Sequence, residues 1–152
     1  MTIQYMTAKV SECFDEVLTL LDNHYQELSV TKHYQLNPYY EMYKENEKNG
    51  KCRVILCKDN DEIIGYIVFF IDVNLHYKDC LLATEDIYYL KPEYRKGRTG
   101  IKMFKFAEEY LKSLGVNMIK YSTKVHSDNS KLFEYLGCAF TEKVFIKTIK
   151  EL

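Results

Sequence analysis

One segment of the chain, residues 92–100, limits the possible folds more than any other. It joins an apolar run that is typical of a β-strand to a strongly amphipathic helix, and it carries Arg95, Gly97, Arg98 and Gly100. A helix that begins directly after such a turn presents free backbone N–H groups and the positive end of its dipole at one point. The segment therefore predicts a strand–turn–helix unit that binds an anionic group.

The hydrophobic pattern on either side predicts alternating strands and helices. Apolar residues at helical spacing indicate a first helix, capped near Thr7 or Ser11, and a central helix that follows Gly100. The other predicted elements are strand 3–6, helix 38–48, strands 53–57, 63–71 and 80–90, strand 118–123, helix 129–136 and a last strand 139–149. The resulting order, β-αα-ββ-β-α-β-α-β, belongs to the α/β class.

Composition favours one globular domain over residues 1–152. Apolar residues make up 47% and charged residues 28% of the chain, which is ordinary for a folded protein. The 21 basic and 22 acidic side chains nearly cancel, and this balance argues against a nucleic-acid partner. No apolar run approaches the roughly 20 residues of a membrane span. We therefore expect a cytoplasmic protein without a membrane partner.

The five cysteines argue against both a disulfide framework and a zinc site. Their number is odd, and no two of them form a Cys-x-x-Cys pair. Cys52 and Cys57 fall in one predicted strand at a spacing that places them on opposite faces. We expect reduced thiols and no metal ion.

Three motifs in this order resemble the GNAT superfamily of acyl-CoA-dependent N-acyltransferases. They are strand 86–90 with the following Pro92, the turn 94–100, and residues 131–137, which are similar to the family's late Leu-Tyr-Glu-Lys-Leu-Gly helix. The resemblance implies a three-layer fold with a mixed, mostly antiparallel sheet of about six strands and about four flanking helices. It also implies acetyl-CoA as the cofactor. Residues 75–77 and Asn37-Pro38 resemble, more narrowly, a subgroup common among bacteriophages and their hosts.

The resemblance implies a cofactor site along the central strand, the turn and the late helix. The strand offers its backbone to the pantetheine arm, while the turn and helix start bind the pyrophosphate. The corresponding residues here are Tyr88, Tyr89, Leu90, Arg95, Lys96, Gly97, Arg98, Thr99, Gly100, Ile101, Asn129 and Phe133. The family's middle glycine falls at Arg98, whose side chain either contacts a phosphate or points into solvent. Asn129 is equally explained as a helix cap.

Catalysis in the family is direct transfer from the thioester to an amine, which requires a base for the ammonium proton. The candidates for this base are Asp86, Glu85 and His76. Asp86 and Glu85 are neighbours on a strand, so they point to opposite faces and only one of them faces the substrate. Both are also explained as solvated or paired strand residues.

The general acid that the family often places on its late helix has no direct counterpart. Phe133 occupies the position of that tyrosine, and Tyr135, two residues further on, points elsewhere on the helix. Either Tyr135, Tyr88 or Tyr121 protonates the thiolate, or the thiolate leaves unassisted, since a thiol pKa of about 8.5 makes it a fair leaving group.

The expected acceptor is the primary amine of a small molecule, a peptide or a protein lysine. Residues 29–43 and 74–79 would select it, with His33 lining the same groove, whereas His24 and His126 are expected at the surface. Two other functions stay open: a catalytically silent binding or regulatory protein, which Phe133 favours, and a nucleic-acid-modifying enzyme, which the near-neutral charge disfavours. The last strand, 139–149, would pair two chains edge to edge into a homodimer.

Overall fold

A computed structural model describes residues 1–29 and 34–151. The strands are β1 Ile3–Ala8, β2 Cys52–Asp59, β3 Glu62–Asn74, β4 Tyr77–Leu90 and β5 Met118–Lys120. The helices are α1 Val10–Leu28, α2 Tyr40–Lys48, α3 Thr99–Ser113 and α4 Ser130–Tyr135, with a short 3-10 helix at Pro92–Tyr94. The element order that the sequence predicts is confirmed up to the end of α4. His33 lies outside the described residues.

The strands form one sheet in the order β1-β2-β3-β4-β5. β2, β3 and β4 follow one another through short turns and pair antiparallel, as β1 does with β2. β5 is parallel to β4, because the chain between them crosses the sheet through α3. The sheet is therefore mixed and mostly antiparallel, as the family resemblance implies.

Helices cover both faces of this sheet and give the fold three layers. On one face, α3 and α4 contribute Phe104 and Phe133 to a cluster that also contains Cys57. On the other face, α1 and α2 pack on a second cluster that contains Cys52. The prediction that Cys52 and Cys57 lie on opposite faces is confirmed, and burial raises the pKa of each thiol to about 12.

The start of α1 differs from the prediction. The helix begins at Val10 with Lys9 as its N-cap, and neither predicted capping residue serves. The Glu12 carboxylate accepts a hydrogen bond from the Lys9 N–H at 3.3 Å, and the Glu47 carboxylate of α2 accepts one from the Val10 N–H at 2.6 Å. A carboxylate from another helix thus satisfies a free N–H group of the first turn, which local spacing does not reveal.

The prediction of a last strand at residues 139–149 is wrong, so the sheet has five strands where about six are expected. Strand-forming side chains need a neighbouring strand to pack against, and β5, with three residues, offers only a short edge. The segment is held instead by an ion pair between Lys120 and Glu142 at 2.7 Å. Five of its large apolar side chains are 71–90% exposed: Phe140, Val144, Phe145, Ile146 and Ile149.

His24 is buried, contrary to the surface position expected for it. Its Nδ1 lies 2.8 Å from the Tyr66 hydroxyl oxygen, and its ring stacks on Tyr89 with centroids 5.1 Å apart. Burial lowers the pKa of His24 to about 4, so the imidazole is neutral at pH 7. The residue follows Leu20 by one helical turn, and this spacing is the sequence signal for its place on the buried face of α1. His126 is exposed, as expected.

The described residues contain no helix with the length and apolar character to cross a membrane. All five cysteines are free thiols. Within the same ranges, no group of His, Cys, Asp and Glu side chains is arranged to hold a metal ion.

Candidate functional site

β4 and β5 separate after a short parallel pairing, and a cleft opens between them. Residues 82–84 pair with residues 118–120. β5 ends there, whereas β4 continues to Leu90. On this side of β4, residues 85–90 have no partner strand among the described residues, and alternate backbone N–H and C=O groups face the cleft. The two parallel strands are thus splayed apart, which leaves the backbone of residues 85–90 open to a ligand.

Two polar contacts bridge the cleft. At its closed end, one Glu85 carboxylate oxygen accepts hydrogen bonds from the Ser122 N–H at 3.0 Å and the Ser122 hydroxyl at 2.8 Å. Burial raises the pKa of Glu85, and the bonds from Ser122 act in the opposite direction. Further along, the Asn129 side-chain amide donates to the Tyr88 hydroxyl oxygen at 3.2 Å. Asn129 makes no side-chain cap to α4, so its amide serves the cleft instead of the helix.

An aromatic cluster packs between β4, α3 and α4 and lines the inner side of the cleft. Phe133 stacks on Tyr121 with centroids 4.9 Å apart and meets Tyr88 and Phe104 edge to face at 5.9 and 5.6 Å. Phe133 is buried and supplies apolar surface without a hydroxyl. The Tyr121 hydroxyl is directed toward the Glu108 carboxylate at 3.3 Å. The Tyr88 hydroxyl is therefore the phenol of this cluster that lies at the cleft.

The turn between β4 and α3 leaves the N-terminal end of α3 open. Gly97 has a φ of 89°, in the left-handed region that glycine tolerates best, and a side chain there would meet no atom within 4 Å. Arg98 stands at the N-cap without a side-chain cap bond. The backbone N–H groups of Thr99, Gly100 and Ile101 therefore point out of the helix together with the positive end of its dipole. This arrangement fits a phosphate group.

Two cationic side chains flank this helix end. Lys96 and Arg98 are exposed, and neither forms an ion pair with another of the described residues. Arg98 is thus in solvent, with its guanidinium available to an incoming phosphate.

Arg95, by contrast, is engaged within the protein. Its Nε donates to the Leu90 carbonyl at 2.7 Å, and its terminal nitrogens donate to both Glu27 carboxylate oxygens at 2.5 and 2.9 Å. Its guanidinium carbon lies 5.3 Å from the centre of the Tyr89 ring. Arg95 therefore ties the turn to β4 and α1, and three of its five N–H donors are already used.

Asp86 occupies a β-bulge on the face of the sheet that α1 and α2 cover. Phe69 of β3 pairs with Glu85, and the preceding Val68 pairs with Ile87, so Asp86 is the extra residue. The Tyr43 hydroxyl of α2 donates to the Asp86 carboxylate at 2.7 Å. Asp86 is open to solvent on one side, yet desolvation by its neighbours raises the pKa of its carboxyl against the lowering effect of this bond.

His76 and Tyr135 are not brought to this site. His76 lies exposed in the β3–β4 turn, where its N–H donates to the Asn74 side chain at 2.9 Å. At about 3.3 Å per residue, Asp86 is roughly 30 Å further along β4. Tyr135 is 59% exposed on α4, and the Lys105 ammonium lies 5.5 Å from the centre of its ring.

Two residues of the site, Glu27 and Ser122, are not among the candidates named from the sequence. Each is distant in sequence from its partner, so only the folded chain shows the contact. Tyr43 lies in the range 29–43 that is predicted to select the acceptor, where tyrosines are unusually dense, but its bond to Asp86 is not predicted. A separate surface cavity of about 340 Å³ lies beside Glu12 and Glu47 and shares no lining residue with the cleft.

Several solved structures have the same fold. This chain is similar to an aminoglycoside acetyltransferase from an uncultured soil metagenomic sample, with a TM-score of 0.76 and 12% identity over 97% of each chain. It is also similar to glucosamine-6-phosphate N-acetyltransferase from Arabidopsis thaliana, with a TM-score of 0.74 and 14% identity over 99% of this chain and 100% of that one. A predicted acetyltransferase from Clostridium acetobutylicum, solved with acetyl-CoA, gives 0.72 and 12% over 97% of each chain.

Comparison with curated protein sequences finds no match. The sequence model of the acetyltransferase (GNAT) family, in contrast, matches residues 14–137. This range contains α2, the β4–β5 cleft, the open end of α3 and α4. The chain therefore belongs to the acetyltransferase (GNAT) family and is an acyl-CoA-dependent N-acyltransferase that uses acetyl-CoA.

Proposed function

We propose that this protein moves the acetyl group of acetyl-CoA to a primary amine by direct attack in a ternary complex. The observation that carries the proposal is the unpaired edge of β4, which runs from Glu85 and Asp86 toward the open end of α3. A carboxylate for the amine proton and hydrogen-bonding groups for an extended arm thus follow one another along β4, and donors for phosphates follow at the start of α3.

Acetyl-CoA fits this cleft, where its part in the chemistry is to present an acetyl thioester. The N–H groups of Thr99, Gly100 and Ile101 would hold the pyrophosphate, with Lys96 and Arg98 adding charge. The backbone of Tyr88, Tyr89 and Leu90 would bind the pantetheine arm, and Asn129 and Phe133 would contact it from α4. Gly97 leaves the approach to the phosphates free of side-chain atoms.

Asp86 is our candidate for the base. Its carboxylate faces the α1 and α2 side of the sheet and is open to solvent, so an amine has access to it. A carboxyl whose pKa is raised by desolvation is a better proton acceptor than an ordinary aspartate. Glu85 is the alternative, although Ser122 already occupies one of its oxygens. His76 is too distant to take this role in the same complex.

Tyr88 is our candidate for protonating the thiolate, because Phe133 occupies the position where the family often has a tyrosine for this role. Asn129 donates to its hydroxyl oxygen, and the Thr123 side chain is a second hydrogen-bond partner, so the phenol is held in place at the cleft. Tyr121 is directed to Glu108, and Tyr135 lies at the surface.

The proposed acceptor is a small-molecule or protein amine, and the property assigned to it is a positive charge. The Asp86 carboxylate would attract an ammonium group, whereas the exposed Glu41 and Glu45 of α2 are offset by Lys44 and Lys48 of the same helix. The relatives act on different acceptors, an aminoglycoside in one case and glucosamine 6-phosphate in another.

Two further predictions concern location and subgroup. The free cysteines support a cytoplasmic location, and residues 75–77 support membership of the bacteriophage-type subgroup.

We propose in addition that two copies associate through residues 139–149. The outer edge of β5 has no partner strand among the described residues, and the segment that carries five exposed apolar side chains follows α4. A strand from a second copy would satisfy that edge and cover those side chains.

The function is tested by mixing the protein with acetyl-CoA and a panel of amines and following the released thiol. The panel contains an aminoglycoside, an amino sugar phosphate, a polyamine and a lysine peptide. Thiol release that depends on one amine supports the proposal. Saturable acetyl-CoA binding without turnover of any amine would favour a catalytically silent binding protein.

A further inference from the structure

The ion pair between Glu27 and Arg95 joins α1 to the turn that precedes α3. Both carboxylate oxygens of Glu27 accept hydrogen bonds from Arg95, and the side chains of the two residues are 32% and 39% exposed. We infer that Glu27 is a positioning residue for the proposed acetyl-CoA site, and that Arg95 shapes the turn instead of binding a phosphate. The inference rests on the proposed function.

Arg95 is held from three directions, which leaves it little freedom to turn toward a ligand. Leu90 accepts from its Nε, Glu27 binds its terminal nitrogens and Tyr89 lies under its guanidinium. Such a planar, two-bond pair fixes geometry as well as charge. Gly97, Arg98 and the first residues of α3 follow directly, so the position of the open helix end depends on where Arg95 is anchored.

The same helix carries a second contact to this region. His24 precedes Glu27 by one turn of α1 and stacks on Tyr89, the residue that also contacts Arg95. His24 is in turn bonded to Tyr66 of β3. Two side chains on one face of α1 therefore hold this region: His24 contacts Tyr89, and Glu27 binds Arg95. Of the two, Glu27 is the one that contacts the turn itself.

The sign of the effect of removing Glu27 separates positioning from simple electrostatics. Glu27 places a negative charge close to a site for a polyanion. If it were a bystander, or a competitor that withholds Arg95 from the phosphates, neutralising it would strengthen acetyl-CoA binding. If it positions the turn, neutralising it weakens binding although the electrostatic change is favourable.

The experiment is calorimetric titration of acetyl-CoA into the wild type, Glu27→Gln and Glu93→Gln. Glu93 is an exposed acid in the 3-10 helix, three residues after the end of β4, and its side chain makes no hydrogen bond to Arg95 among the described residues, so its variant reports the charge effect alone. We expect the Kd of Glu27→Gln to rise about three- to tenfold, since a solvent-accessible ion pair with two hydrogen bonds is lost. The Kd of Glu93→Gln should stay the same or fall slightly.

A ligand without phosphates provides the second readout. S-acetylpantetheine has the thioester and the arm but no pyrophosphate, so its affinity should be the same in the wild type and Glu27→Gln. An equal loss for both ligands would mean general structural damage and would overturn the inference, as would tighter acetyl-CoA binding by Glu27→Gln. A folded wild type that binds no acetyl-CoA would instead refute the proposed function itself.

Discussion

At the scale of single residues, the site depends on two adjacent carboxyls of β4, Glu85 and Asp86. Because neighbouring strand residues point to opposite faces, Glu85 reaches Ser122 across the cleft while Asp86, the extra residue of the β-bulge, reaches Tyr43 on the other face. The two adjacent carboxyls thus have different surroundings. Glu85 is buried, and one of its oxygens accepts two hydrogen bonds, whereas Asp86 is open to solvent on one side. This difference is the reason to assign the proton transfer to Asp86.

Replacing Asp86 by Asn should lower kcat/KM by about 100-fold or more, because an amide cannot accept the ammonium proton. Steady-state kinetics with the amine found by the panel checks this. Acetyl-CoA affinity and melting temperature should stay near those of the wild type. Asp61→Asn, an exposed acid in the β2–β3 turn, is the matched control. Full activity of Asp86→Asn together with an inactive Glu85→Gln would move the role to Glu85.

Replacing Tyr43 by Phe should shift the pH dependence of that activity. The Tyr43 hydroxyl stabilises the ionised form of Asp86, so its removal raises the pKa of the carboxyl further. Cys52 and Glu85 also lie near Asp86, and both are unchanged in this variant. The acidic limb of kcat/KM should therefore move to higher pH, while the activity well above it changes little. An unmoved limb would show that Asp86 is not the group that titrates.

His24 should make the protein less stable in mild acid. Its pKa is about 4 in the folded protein and 6.5 in the unfolded chain, so the unfolded chain binds a proton that the native state does not. The contribution is fully present above about pH 6.5 and is lost progressively toward pH 4, on the order of 3 kcal/mol. Urea unfolding at several pH values should show a smaller decline in His24→Gln than in the wild type. Parallel declines would contradict this account.

At the scale of the elements, sequence patterns locate those whose signal is local. The turn at Gly97, the apolar stripe of α3 and the β2–β3 hairpin all follow from spacing and turn residues. The start of α1 does not, because it depends on Glu47 of α2. The segment 139–149 has strand-like side chains, but a strand also needs a partner, and that information is not in the segment.

Gly97→Ala should weaken acetyl-CoA binding, and Gly115→Ala should not. Both glycines have a φ near 90° with no atom within 4 Å of an added Cβ, and they stand at opposite ends of α3. Each change should therefore cost roughly 1 kcal/mol of stability through backbone strain alone. Thermal unfolding and calorimetric titration of the pair check this. Equal acetyl-CoA affinities in the two variants would show that the turn at Gly97 is not part of the cofactor site.

At the scale of the whole molecule, the site combines three separate parts of the chain. α1 and α2 supply Glu27 and Tyr43, β4 supplies the strand edge, and the chain after β5 supplies Ser122 and Asn129. The sequence motifs identify the second and third parts through the family resemblance. They do not identify the contacts of the first part, since Glu27 and Tyr43 are far in sequence from their partners Arg95 and Asp86.

The proposed homodimer also concerns the whole molecule. Light scattering of the purified protein should give twice the monomer mass of 18.1 kDa. Replacing Phe145 and Ile149 by Asp should give a monomer, because charges would enter the shared apolar contact. Lys147→Ala in the same segment should leave the dimer intact. A monomeric wild type would contradict the proposal.

The most direct test of the central claim is calorimetric titration of acetyl-CoA into the wild type and the double variant Lys96→Ala, Arg98→Ala. A second double variant, Lys48→Ala, Lys112→Ala, removes the same charge from the ends of α2 and α3 that lie outside the cleft. We expect one saturable acetyl-CoA site per chain, with an affinity that the first pair of changes weakens at least about tenfold and the second pair hardly alters. No binding by the folded wild type, or equal binding by all three proteins, would contradict it.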